Sequence, residues 1–144
     1  MRLLHKCSCR WTSESLPSAA YTGEYGELVA ASYLRAQGLK ILRRNWRWGD
    51  SGELDIVCRD GDTLVAVEVK STASARAGSP LRMVNAEKRR LLRHGLLNWL
   101  YLLKPAEVKT RFDVVEVYLP AQQVPEVVWH KGAFTFKEGE TVFK

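Results

Sequence analysis

The chain has 144 residues, of which 46% are hydrophobic and 26% are charged, so it is long enough for one domain with one core. Its net charge of +6 and its pI of about 9.4 favour a polyanionic partner. The three cysteines are odd in number and lack paired spacing, so neither a disulfide framework nor a zinc site is predicted. No apolar run approaches the ~18 residues of a membrane span. We therefore expect a cytoplasmic protein that does not enter a membrane.

The N-terminal part of the chain is predicted to contain a tail and then a helix. Residues 1–20 show no hydrophobic periodicity, so we predict a flexible tail there and a single domain over residues 21–144. A helix is predicted over Thr22–Gln37, with Thr22 as its N-cap and Gly38 at its end. Glu27 precedes apolar residues of this helix by three, four and seven positions, which places it on the inward face. Glu27 is either a metal ligand or a capping or solvated glutamate.

A strand with basic surroundings is predicted next, over Leu39–Trp48. Five basic residues and no acid lie between Leu28 and Gly49, namely Arg35, Lys40, Arg43, Arg44 and Arg47. Trp46 and Trp48 lie among them, and such rings can stack on unpaired bases while the cations follow the phosphates. Trp46 also fits a core position. Arg44 and Arg47 are the predicted contacts to a nucleic-acid backbone.

Two apolar, β-branched runs joined by Asp60-Gly61 predict a β-hairpin with strands Glu53–Arg59 and Asp62–Lys70. A type I′ turn at Asp60-Gly61 sets Val57 opposite Leu64. Because side chains alternate along a strand, one face then gathers three carboxylates and one lysine. That face holds Glu53, Asp55, Val57, Leu64, Ala66, Glu68 and Lys70, and the other holds Leu54, Ile56, Cys58, Val65, Val67 and Val69.

The clustered carboxylates indicate a site for a divalent cation. Like charges that face each other across strands cost about 0.2–1 kcal/mol per pair, and a cation between Asp55 and Glu68 would remove this repulsion. Mg²⁺ typically takes one or two carboxylates together with water and phosphate oxygens. Lys70, on the same face as Glu68, could position an attacking water or stabilise phosphate charge, as in a metal-assisted phosphodiesterase.

A surface salt bridge is the alternative explanation for the Glu68-Val69-Lys70 triplet. About one acid-x-lysine triplet is expected by chance in this composition. Indeed, Glu107-Val108-Lys109 has the same letters. This second triplet follows Pro105 and has no apolar strand before it and no upstream acid that a hairpin would bring near. The context therefore favours the first triplet as the metal site.

A polar loop and a basic helix follow the hairpin. Ser71–Leu81 contains glycine and proline and is predicted to be a mobile loop beside the site. A second helix is predicted from the N-cap Asn85 to about Leu103. The basic residues around the loop and the helix start are Arg76, Arg82, Lys88, Arg89, Arg90 and Arg93. Since a helix N-terminus with basic side chains can bind phosphate, Lys88 and Arg89 are predicted backbone contacts; a solvated basic face is the alternative.

The last part of the chain predicts two more strands, over Thr110–Leu119 and Val124–Trp129, the second at a sheet edge. Asp113 is interpreted as a structural residue, with Arg111 or a group at the edge of the active site as its candidate partner, and a catalytic role is the alternative. The order of the elements predicts an α/β sandwich in which a mixed central β-sheet is flanked by α-helices.

The motifs also form a specific combination: Gly26-Glu27, Arg44-Asn45, Gly52-Glu53-Leu54-Asp55-Ile56-Val57, Val67-Glu68-Val69-Lys70, Gly78-Ser79-Pro80, Lys88-Arg89-Arg90-Leu91 and Arg111-Phe112-Asp113-Val114-Val115. Over roughly residues 22–134 the chain resembles the YraN-like family of small bacterial proteins, which belongs to the restriction-endonuclease-like PD-(D/E)xK group and is similar to Holliday-junction resolvases. The resemblance implies an endonuclease fold and assigns Asp55, Glu68 and Lys70 to the nuclease motif, with Glu27 as the helical acid. Thr72 departs from the family, which often has a basic residue at that position.

Two main classes of function follow from these observations. The first is a Mg²⁺- or Mn²⁺-dependent endonuclease that acts on structured or branched DNA, with Asp55, Glu68 and Glu27 at the metal and Lys70 at the water. The second is a non-catalytic nucleic-acid-binding module that retains the fold, and a protein-interaction domain is a third. A resolvase-like activity would favour a two-fold homodimer.

Overall fold

The computed structural model describes residues 19–50, 52–73, 84–104 and 107–136. These residues form α1 (Ala19–Ala36), β1 (Lys40–Arg47), β2 (Glu53–Asp60), β3 (Thr63–Thr72), α2 (Ala86–Leu103), β4 (Lys109–Tyr118) and β5 (Glu126–Phe134). The strands form one sheet in the order β1-β2-β3-β4-β5. β3 and β4 are parallel and the other neighbours are antiparallel, so the predicted α/β fold with a mixed sheet is confirmed. The connection between the two parallel strands contains α2, as a crossover requires.

The two helices lie on opposite faces of the sheet, and each covers its own apolar core. The core on the α1 face includes Ala30, Leu34, Ile56, Cys58, Val65, Val67 and Val115. The core on the α2 face includes Leu54, Val57, Leu64, Ala66, Leu92, Leu96 and Phe112. Because β3 lies between β2 and β4 and both of its faces are covered, its sequence is apolar at nearly every position up to Glu68.

The hairpin forms as predicted in its strands, but the predicted register is wrong by two residues. Val57 pairs with Ala66 rather than Leu64, and Asp60 pairs with Thr63, so the loop is Gly61-Asp62. Gly61 has a φ of 59° at the first loop position, where a type II′ turn takes glycine. Because the shift is an even number of residues, it leaves the faces of β3 as predicted.

The predicted face of Leu54 is wrong. Leu54 packs with the α2 core, whereas Ile56 packs with the α1 core. Two features disturb the alternation here: Asn45 on the neighbouring strand has a φ of 51°, and the β2–β3 pairing runs only from Asp60 to Ile56. Gly95 also allows α2 to approach, since a Cβ there would lie 3.1 Å from Leu54.

The helix boundaries agree with the sequence at α2 and differ at α1. The N-cap prediction at Asn85 is confirmed, because its side chain accepts a hydrogen bond of 2.8 Å from the backbone N–H of Lys88. The prediction of Thr22 as N-cap is wrong, because α1 already begins at Ala19. The predicted tail up to residue 18, and residues 74–81 of the predicted loop, lie outside the described residues. Neither described helix has the length and hydropathy needed to cross a bilayer.

A buried carboxylate fastens β4 to β5 on the α1 face. Asp113 is fully buried, and it accepts hydrogen bonds from Nε and Nη2 of Arg111 at 2.8 and 2.9 Å. The indole N–H of Trp129 and the backbone N–H of Gly132 each donate a further hydrogen bond of 2.9 Å to Asp113. Gly132 has a φ of 64° at an irregular part of the β4–β5 pairing. The interpretation of Asp113 as a structural partner of Arg111 is confirmed.

Candidate active site

Asp55 lies where β2 and β3 separate. The backbone pairing of the two strands ends at Ile56 and Val67. Beyond this point the side chain of Asp55, not its backbone, contacts β3. Its Oδ2 accepts a hydrogen bond of 2.8 Å from the backbone N–H of Val69. The carboxylate is thereby fixed beside Glu68, the neighbouring residue on β3.

Glu68 is a buried carboxylate that contacts two lysines. Only 2% of the residue is exposed, and its Oε1 lies 2.8 Å from Nζ of Lys70. Its Oε2 lies 3.1 Å from Nζ of Lys88, in the first turn of α2. The Lys88 contact is an ion pair without hydrogen-bond geometry, so this buried oxygen accepts no hydrogen bond from the described residues. Among the described residues, Glu68 Oε2 is therefore held by the charge of Lys88 and not by a hydrogen bond.

The electrostatics of the site oppose full ionisation of both carboxylates. Burial, and after it the negative charge of Glu68, raise the pKa of Asp55 to about 7. The hydrogen bond from Val69 and the positive charge of Lys88 act in the opposite direction but are weaker. An additional positive charge between Asp55 and Glu68 would favour the ionised pair.

The raised pKa of Asp55 predicts how stability depends on pH. A folded-state pKa of about 7, against an ordinary value of 3.8, means that the folded protein binds this proton more tightly than the unfolded chain. Stability is therefore lost as the pH rises between these two values. In metal-free buffer we expect Asp55→Asn to raise the free energy of unfolding at pH 8 by about 2–4 kcal/mol, and the gain to shrink towards pH 4.

Urea unfolding at several pH values measures this effect. Asp62→Asn is the matched control, because Asp62 is an exposed carboxylate beside Lys109, which lowers its pKa. This control should lack the gain at pH 8. An equal effect of Asp55→Asn at pH 4 and pH 8 would contradict the assignment of the raised pKa.

Glu27 approaches the same region from α1. The pKa of Glu27 is raised by burial and by the charge of Glu53, while a hydrogen bond from Asn45 and the charge of Arg44 oppose the rise. Gly26 permits this approach, because a Cβ there would lie 1.7 Å from the hydroxyl oxygen of Ser71 at the end of β3. Of the described residues, Asn45 is the one whose side chain contacts the Glu27 carboxylate as a hydrogen-bond donor.

The four predicted backbone-binding residues occupy different environments. Arg47 is exposed and forms an ion pair with Glu53, whereas Arg44 is half-buried. Arg89 donates a hydrogen bond of 2.8 Å from Nε to the carbonyl oxygen of Val84. Lys88 contacts Glu68, as described above. Their contacts to nucleic acid stay predictions.

The two predicted stacking residues differ in exposure. Trp46 packs edge-on against Trp99 of α2 with ring centroids 5.3 Å apart, which is the core position considered from the sequence. Trp48 is exposed and adjoins Arg47. Of the two rings, Trp48 is the better placed to meet a base.

The site is chemically suited to a hard divalent cation, with two carboxylates as the primary donors. Mg²⁺ and Mn²⁺ prefer carboxylate oxygens, and Mg²⁺ completes its shell with waters and phosphate oxygens. Glu68 Oε2 lacks a hydrogen bond, and the pKa of Asp55 is raised in part by Glu68, so both groups have capacity for a cation. Within the described ranges no three His, Cys, Asp or Glu side chains are grouped tightly enough to hold a metal by themselves. The predicted third ligand Glu27 is therefore assigned a supporting position.

The sequence did not reveal two contacts of the site. The ion pair between Lys88 and Glu68 joins residues 20 positions apart on different elements, and Lys88 was predicted only as a phosphate contact. The second is the contact of Asn45 with Glu27, and Asn45 has a left-handed backbone with a φ of 51°. Asparagine tolerates that conformation better than most residues, which was the one signal in the sequence that could have indicated it.

Comparisons with known proteins identify relatives over most of the described region. A family model described as uncharacterised protein family UPF0102 matches residues 26–117. A UPF0102 protein of Geotalea daltonii is 40% identical over 112 residues, which cover 78% of this chain and 87% of the relative. A UPF0102 protein of Parafrankia sp. is 44% identical over 112 residues, covering 78% of this chain and 94% of the relative. The matched residues run from α1 into β4 and include Asp55, Glu68, Lys70 and Lys88.

Proposed function

The chain belongs to the UPF0102 family, and from this premise and the geometry around Glu68 we propose that it is a divalent-metal-dependent endonuclease acting on structured or branched DNA. The observation that carries the proposal is the pair of carboxylates at the point where β2 and β3 separate. Glu68 is buried and one of its oxygens is held only by the ion pair with Lys88, and Asp55 beside it has a pKa of about 7. Perturbed carboxylates with a lysine in contact are typical of a catalytic centre.

Each group of the site has a role in hydrolysis under this proposal. A bound Mg²⁺ or Mn²⁺ would polarise a phosphate oxygen and lower the pKa of a water molecule. Asp55 and Glu68 hold the cation, and Glu27 supports it from α1. Lys70 positions the water whose oxygen attacks phosphorus; this water gives up a proton to solvent, the P–O bond to one sugar oxygen breaks, and that oxygen leaves and takes up a proton. Lys70 Nζ lies 2.8 Å from Glu68, so it is within reach of any group held there.

The basic residues around the site define how DNA would be held. Arg44 and Arg47 on β1, and Lys88 and Arg89 on α2, are the proposed phosphate contacts, consistent with the net charge of +6. The exposed ring of Trp48 offers a surface for an unpaired base. We also propose a cytoplasmic location and a two-fold homodimer, because two copies would meet the two strands of a junction symmetrically.

A cleavage assay tests the proposal directly. Purified protein is incubated with a four-way junction, a flap and a linear duplex of matched sequence, in Mn²⁺ or in chelator. We expect metal-dependent cleavage of the junction or the flap, and none by Asp55→Ala. Intact substrates under every condition, or cleavage that survives Asp55→Ala, would overturn the proposal.

One observation favours the alternative of a non-catalytic nucleic-acid-binding module. Lys70 and Lys88 both form ion pairs with Glu68, so the protein itself can supply the charge that balances this carboxylate. Such a module would bind DNA with a steep dependence on salt concentration, since phosphate contacts release counterions. Its affinity for DNA would be the same with and without Mn²⁺. A protein-interaction domain would show neither DNA binding nor cleavage.

A further inference from the structure

Lys88 contacts a carboxylate of the site, although it belongs to the basic start of α2, which was predicted to face phosphate. It lies in the first turn of α2 and is half-buried, while its backbone N–H donates to the side chain of the N-cap Asn85. Its Nζ reaches 3.1 Å from Oε2 of Glu68, and its charge lowers the pKa of Asp55. Lys88 therefore interacts with both carboxylates from α2, whereas Asp55 and Glu68 lie on β2 and β3.

We propose that Lys88 is a positioning residue that serves as the counter-cation of Glu68 while the site holds no metal, and that it gives up this contact when a divalent cation enters. This inference rests on the proposed function. After leaving Glu68, the ammonium group is in place to contact a DNA phosphate at the N-terminus of α2. Lys88 thus couples occupation of the carboxylates to phosphate binding.

The charges and contacts at Glu68 explain why one lysine must leave. Even when Asp55 and Glu68 are both ionised, as a bound cation requires, the two lysines already balance their charge, so a divalent cation would add two uncompensated positive charges in a largely buried place. Lys70 contacts Oε1 at 2.8 Å and shares a strand with Glu68, so its contact persists. Lys88 contacts Oε2, the oxygen without a hydrogen bond, and its contact of 3.1 Å is the longer of the two. Lys88 is therefore the lysine that yields.

Binding of Mn²⁺ to the protein without DNA tests the proposal, with calorimetry and the spin-resonance signal of free Mn²⁺ as readouts. Because Lys88→Met removes a competitor for Glu68, we expect it to bind Mn²⁺ about tenfold more tightly than the parent. Arg90→Met is the matched control, since it removes the same charge from an exposed position two residues along α2. This control should bind Mn²⁺ as the parent does. Lys88→Gln serves as a second variant, and thermal unfolding confirms that each variant is folded.

The outcomes separate this inference from the proposed function. If the parent binds Mn²⁺ but Lys88→Met and Lys88→Gln bind it no more tightly, the counter-cation role of Lys88 is overturned while the metal site stands. Equal tightening by Arg90→Met would also overturn it, because a general charge effect would then suffice. If no variant binds Mn²⁺, the proposed function fails together with this inference. At saturating Mn²⁺, Lys88→Met should cleave DNA with a raised KM, as expected from a lost phosphate contact.

Discussion

Replacing Asp113 with alanine should lower the free energy of unfolding by about 3–5 kcal/mol, as is usual when one partner of a buried ion pair is removed. Asp113 is fully buried and accepts four hydrogen bonds from Arg111, Trp129 and Gly132. Alanine would leave these donors without an acceptor, and each buried unsatisfied donor costs about 1–3 kcal/mol. Urea unfolding at pH 7 measures the loss.

Asp62→Ala is the control for the Asp113 substitution. Asp62 also pairs with a basic residue, Lys109, but both side chains are exposed. We expect a change within about 0.5 kcal/mol, because exposed ion pairs contribute little. A loss below about 1 kcal/mol for Asp113→Ala would show that the network does not stabilise the β4–β5 pairing as inferred.

Replacing Glu68 with glutamine should reduce the rate of Mn²⁺-dependent DNA cleavage by at least about 100-fold. Loss of a residue that merely supports a metal ligand already costs about 10–100-fold, and Glu68 is proposed as a ligand itself. Glutamine keeps the shape of the side chain and removes only its charge. DNA binding in chelator should be retained or become tighter, because Lys70 and Lys88 lose the carboxylate that now neutralises them.

Glu107→Gln is the control for the Glu68 substitution. Glu107 begins the triplet Glu107-Val108-Lys109, which has the same letters as Glu68-Val69-Lys70, but it is exposed and precedes β4. Its cleavage rate should equal that of the parent. Full activity of Glu68→Gln on the junction and the flap in Mn²⁺ would remove Glu68 from the reaction.

The hairpin illustrates what the sequence could predict. Alternation of apolar and polar residues correctly predicted that Glu68 and Lys70 share one face of β3, since alternation is unaffected by an even shift of register. The register itself was wrong because Asp60-Gly61-Asp62 allows glycine at either loop position. The structure selects the first position, and Asp60 then lies at the end of β2, where it pairs with Arg111 and Lys131. These partners lie about 50 and 70 residues away and have no signature in the local pattern.

The boundaries of α2 and the family resemblance were predicted correctly, but the contact of α2 with the site was not. The N-cap Asn85 and the end of α2 at Leu103 followed from local signals and are confirmed. The resemblance to the YraN-like family is confirmed by the family match over residues 26–117. The contact of Lys88 with Glu68 depends on where α2 lies against the sheet. The spacing of residues within one helix or strand does not determine how far α2 lies from β3. The sequence alone therefore could not predict the contact between Lys88 and Glu68.

Diffraction from crystals soaked in Mn²⁺ tests the metal site most directly. At a wavelength where manganese scatters anomalously, we expect a peak coordinated by Asp55 and by Oε2 of Glu68, with Lys88 moved away from Glu68. The same soak of Glu68→Gln crystals should give no peak there. Parent crystals with Lys88 still on Glu68 and no manganese between the two carboxylates, from protein that cleaves DNA in the same buffer, would contradict the account.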